Sequence, residues 1–65
     1  MTILQYLKTR IEFTEHERDV SLAELEALPT WQTEEREEVD NSITFLNIKL
    51  LHLREEYEIA SQFQS

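Results

Sequence analysis

The sequence predicts an all-α fold, an antiparallel helical hairpin that dimerises into a four-helix bundle. Three observations carry that expectation. The 65-residue chain has no Gly and a single Pro, Pro29, so little in it punctuates a helix. On both sides of Pro29, apolar residues recur at helical spacing. Both halves also carry more apolar surface than one partner helix covers.

The chain is read as one domain, residues 1–65, with helix 1 over about 3–28, a turn at 29–33 and helix 2 over about 34–62. In helix 1, Leu4, Leu7 and Ile11 follow one line, while Ile3, Tyr6, Phe13 and Val20 follow another. The segment Thr14–Val20 is weaker, with Val20 as its only clear core residue. Ser21–Glu24 ("SLAE") matches a capping box, so a kink near Asp19–Ser21 stands as the alternative to one continuous helix. Pro29 cannot continue the helix and pushes the residue before it out of the α region. Thr33 is the preferred cap of helix 2, because Glu34 and Glu35 then meet the positive end of the helix dipole. In helix 2, Val39, Ile43, Leu46, Leu50, Leu53, Tyr57 and Ala60 step by 4, 3, 4, 3, 4 and 3, an unbroken heptad seam. At 1.5 Å per residue helix 2 is a rod of roughly 43 Å. Joined by a short turn, the two rods close antiparallel with Leu4, Leu7 and Ile11 on the same seam.

The seam leaves Phe45, Ile48, Leu51 and Ile59 of helix 2, with Phe13 and Val20 of helix 1, as a second stripe. A helix in a four-helix bundle touches two neighbours and needs such a broad arc. A second copy is the simplest cover for the stripe, and a different protein the rival one.

Composition narrows the function classes. The net charge of −8, from 14 acidic and 6 basic residues, opposes binding to a nucleic-acid backbone or an anionic membrane surface. No segment resembles a signal peptide or a membrane span. Without Cys there is neither a disulfide nor a thiolate metal site, which fits a cytoplasmic location. No Ser has a plausible His–Asp companion set, and a glycine-rich phosphate loop is impossible. The expectation is therefore a non-enzyme without a cofactor.

Three further features bear on function. His16 and His52 could join carboxylates in a metal site, but the residues three before them are Phe13 and Lys49, not the Glu of a Glu-x-x-His motif. They are read as surface histidines, and a carboxylate–histidine metal bundle stays a third reading. Glu34, Glu35, Glu37, Glu38 and Asp40 place five acids in seven residues. Besides forming a solvated helix start, they can dock a basic partner together with Trp31, whose default role is to plug the end of the bundle. Lys8 and Arg10 are expected to approach Glu55 and Glu56 as register-setting ion pairs, and Tyr6 and Tyr57 to be buried at the open end.

The outline resembles small helical-hairpin proteins such as plasmid copy-control RNA binders, sporulation phosphatases and phycobilisome-degradation adaptors. The basic face of the first is missing. The Ser-Gln-Glu-Leu-Asp motif of the second has no counterpart in Asp40–Thr44 or Ala60–Gln64. The expected function is that of a small acidic regulatory or adaptor protein, a homodimer that also engages another, basic protein. The alternative is an acidic mimic of nucleic acid that inhibits a basic DNA- or RNA-binding protein.

Overall fold

The computed structural model describes residues 1–63 and consists of two helices, α1 (Ile3–Ala27) and α2 (Thr33–Phe63), packed side by side. They form a ribbon of 51 × 16 × 12 Å.

Helix α1 starts on a capping box. The Thr2 hydroxyl accepts from the Gln5 backbone N–H at 3.1 Å, and the Gln5 side chain accepts from the Thr2 N–H at 3.0 Å. The helix runs unbroken through Ser21–Glu24, so the second capping-box match starts nothing. It stops where Pro29 forces Leu28 into an extended conformation (φ −74, ψ 135). Helices commonly end on a left-handed Gly that closes the last carbonyls, and this chain has none to offer. Arg36 serves instead. Its guanidinium reaches back from α2 and donates to the carbonyls of Leu25 (3.0 Å) and Leu28 (2.9 Å).

Helix α2 begins one residue earlier than expected. Thr33 lies inside it, and the first helical bond runs from the Arg36 N–H to the Gln32 carbonyl. The cap position therefore belongs to Gln32. Glu34 and Glu35 do occupy the first turn, where the helix dipole favours them.

The Leu28–Arg36 contact fixes the register. Stepping away from it in heptads sets Leu25 level with Val39, Ser21 with Ile43, Arg18 with Leu46, and Thr14 with Leu50. Beyond these come Ile11 with Leu53, Leu7 with Tyr57 and Leu4 with Ala60. Every one of these side chains is buried or half-buried. The apolar centre is small: Leu7, Ile43, Leu46 and Leu50, the last only 1% exposed.

Helix α1 thus keeps the heptad through its weak segment, but with polar residues. Thr14, Arg18 and Ser21 face the seam, and Val20, read from the sequence as the core residue of that segment, is exposed. Thr14 is 0% exposed and turns its hydroxyl onto the Arg10 carbonyl at 2.8 Å, which satisfies it within its own helix. Arg18 lays its stem along the seam and extends one nitrogen to Asp19 at 3.3 Å, while its Nε is buried with no hydrogen-bond partner.

Candidate interaction surface

The two broad faces of the ribbon differ in chemistry. On α1, Tyr6, Phe13 and Val20 stand seven residues apart, each flanking the seam on the same side. On α2, Phe45, His52 and Ile59 do the same. A groove walled by Glu17 and Ser21 of α1 and by Asn41, Ser42, Phe45, Leu46 and Lys49 of α2 shows that both rows border one face. In this register Tyr6 lies level with Ile59, Phe13 with His52, and Val20 with Phe45. Ile3 and Phe63 extend the rows at the open end, and Ile48 carries the surface round the back of α2. Of the twelve large hydrophobic residues left exposed among the described residues, eight belong to this surface, which makes it a patch and not a scatter. An apolar hollow runs along it between Phe45, Ile48, Lys49, His52, Leu53 and Glu56.

The trough between the rows is charged but balanced. Glu17 of α1 and Lys49 and Glu56 of α2 line its hollows, and Arg10, one heptad before Glu17, shares that residue's position on α1. The opposite face carries the cross-helix ion pair, Arg54 to Glu15 at 3.4 Å. Among the described residues no ion pair joins Lys8 or Arg10 to Glu55 or Glu56. Lys8 lies on the Arg54–Glu15 side of α1 and Glu55 points away from α1, while Arg10 and Glu56 share the trough without closing to ion-pair distance.

Of the six residues read as a second interface, Phe13, Val20, Phe45, Ile48 and Ile59 share this surface. Leu51 does not, since one residue beyond the seam residue Leu50 turns it to the Arg54 side, where it is 56% exposed. Tyr6 is half-exposed and Tyr57 half-buried, so only Tyr57 enters the seam. The heptad positions that exposed Tyr6 in common with Phe13 and Val20 were legible in the sequence, and its aromatic ring alone suggested burial.

The closed end of the hairpin is an acidic tip. Between Glu24 and Asp40 stand seven carboxylates and one cation, Arg36, a net −6 of the chain's −8. Glu34, Glu35, Glu37, Glu38 and Asp40 are all exposed there. Trp31 does not plug the end of the hairpin. It stands 75% exposed at the tip, because the turn is so short that its ring has no core beneath it.

His16 and His52 are both exposed, and His52 lies level with Glu12 and Phe13, away from His16. Among the described residues no three His, Asp or Glu side chains converge as a metal site would require, and no helix is long and apolar enough to cross a membrane. No protein-family model, curated protein or solved structure matches this chain.

Proposed function

We propose that the hairpin is one half of a homodimeric four-helix bundle that works as a non-enzymatic regulatory or adaptor protein. The observation that carries this is the apolar face. A compact monomer of 7.8 kDa exposes about 4,400 Å² by the usual scaling of area with mass. The hairpin exposes 5073 Å², an excess of roughly 700 Å². A specific interface removes about 800 Å² from each partner, so a single second copy absorbs the excess. The same residues on each subunit would meet about a two-fold axis.

A dimer built this way leaves the tips free, and there the protein would engage its target. The exposed Trp31 is a suitable anchor, and the surrounding carboxylates would select a basic partner and steer it in. Half of the chain's acids crowd into that tip. This favours one docking end over a rod that mimics the even phosphate spacing of a nucleic acid.

Light scattering on the wild type and on Phe45→Glu/Ile59→Glu, with Leu51→Glu as control, tests the dimer. The expected result is a wild-type dimer, a monomeric double variant and a dimeric control. A wild-type monomer at high micromolar concentration refutes it.

A further inference from the structure

We infer that the second copy lies antiparallel to the first, with the two-fold axis running across the ribbon through the Phe13–His52 row. This deepens the homodimer reading and rests on it.

Face-to-face packing of two ribbons about a two-fold leaves two arrangements, since the axis must lie in the plane of contact. An axis along the ribbon gives parallel hairpins, with α1 of one copy over α2 of the other. An axis across it gives antiparallel hairpins, with α1 over α1 and α2 over α2. The apolar rows are symmetric about their own centres: Tyr6–Phe13–Val20 and Phe45–His52–Ile59 each have equal spacing on either side of the middle residue. Rotation across the ribbon through those middle residues sets Tyr6 against Val20 of the second copy and Phe45 against its Ile59. It also places Arg10 near the level of Glu17 of the second copy and Lys49 near that of its Glu56, so the charged trough closes on opposite signs.

Parallel packing matches the rows and the trough as well. The tips separate the two. Parallel hairpins would bring both tips, each of net charge −6, to the same end of the assembly. There they would lie within a Debye length of about 8 Å to a few such lengths, with no cation but the two Arg36 side chains, already engaged with backbone carbonyls. Antiparallel hairpins send the tips to opposite ends. With the axis on the Phe13–His52 row, Thr30 lies some eighteen residue-rises from it, so the two tips stand about 55 Å apart, and the apolar two-thirds of each ribbon overlap while both tips overhang.

The chain has no cysteine, so single labels can be placed cleanly. The experiment combines molar mass by light scattering, spin-label distance measurement on Thr30→Cys, and mild oxidation of His52→Cys. Thr30 is exposed in the turn, away from the apolar face, so its variant leaves the interface unchanged. Expected are a dimeric mass, a tip-to-tip distance of about 55 Å, and conversion of most of the His52→Cys chain to a disulfide dimer. A dimer whose tip labels lie within about 20 Å, two to three times the usual spacing of packed helices, overturns the antiparallel arrangement and leaves the homodimer standing. Distant tips with no disulfide from His52→Cys overturn the placement of the axis. A monomeric mass for wild type and Thr30→Cys alike overturns the homodimer reading and this inference with it.

Discussion

Arg36 closes the hairpin in a way that a single substitution can measure. Its guanidinium donates to two carbonyls at the end of α1, Leu25 at 3.0 Å and Leu28 at 2.9 Å. A hydrogen bond to a charged donor contributes about 1.5–3 kcal/mol, and a cation at a helix C-terminus adds about 0.3–1 kcal/mol. Arg36 is half-buried, so water partly replaces its bonds when the side chain is removed, and the gross figure must be discounted. Arg36→Ala is expected to cost about 2–3 kcal/mol. For a domain of this size that is a fall in Tm of roughly 10–20 °C. Arg36→Met keeps most of the stem's packing and should lose nearly as much, because the bonds and not the methylenes carry the effect. Both bonds leave one nitrogen, Nη1, so Arg36→Lys, whose single ammonium sits on a shorter stem, should fall between. Urea denaturation at several protein concentrations gives the numbers and separates hairpin stability from assembly. A loss under about 0.5 kcal/mol for Arg36→Ala, the usual level for an unremarkable surface change, would show that the bridge contributes nothing net and that the register argued from it needs another anchor.

Thr14→Val should raise stability by about 1 kcal/mol, since it replaces a buried hydroxyl with a methyl of similar shape. The Arg10 carbonyl still receives its ordinary helical bond, so no acceptor is orphaned, and a loss of stability would count against this account of the seam. Leu50→Ala, at the best-buried position, should cost about 2–5 kcal/mol and largely abolish the cooperative transition. A double-mutant cycle on Glu15 and Arg54 should return a coupling below about 1 kcal/mol, because both side chains are well exposed and the pair is long at 3.4 Å. A larger coupling would mean that this pair helps set the register.

The strength of the α2 heptad made the hairpin legible in the sequence. Seven apolar residues in strict alternation of three and four leave no other period to fit, and all seven are buried or half-buried. Helix α1 was harder to read because its seam continues through Thr14, Arg18 and Ser21. A search for apolar side chains passes over such positions, and Val20 beside them draws the eye to the wrong flank. Continuing the three–four count from Leu4, Leu7 and Ile11 without regard to residue type would have found Thr14, Arg18, Ser21, Leu25 and Leu28. The same count applied to the flanks would have grouped Tyr6 with Phe13 and Val20, and set Leu51 apart from Phe45 and Ile59. The Thr2–Gln5 capping box was available as a pattern and was overshadowed by its double at Ser21–Glu24. The Arg36 bridge was not legible at all. It depends on how the turn folds back, which no local pattern encodes.

The polar middle of α1 also bears on why the apolar face exists. Three consecutive layers of the seam oppose Leu50, Leu46 and Ile43 with Thr14, Arg18 and Ser21, so the hairpin spends its best α2 residues against partners that bury little apolar surface. Phe13 and Val20, which could have filled those layers, stand on the outer row instead. Were the ribbon selected to stand alone, exchanging the two sets would deepen its core and remove its patch in one step. Their present arrangement weakens the contact within one hairpin and strengthens a contact beyond it, the distribution expected when folding and association are coupled. It follows that filling the middle, with Arg18→Leu and Ser21→Leu together, should make the hairpin more stable at low concentration without tightening assembly. Dilution series of helicity by circular dichroism would show it as helicity retained below the concentration at which the dimer dissociates, where the wild type loses it. If the double variant stays as concentration-dependent as the wild type, the polar layers are not what ties folding to a partner.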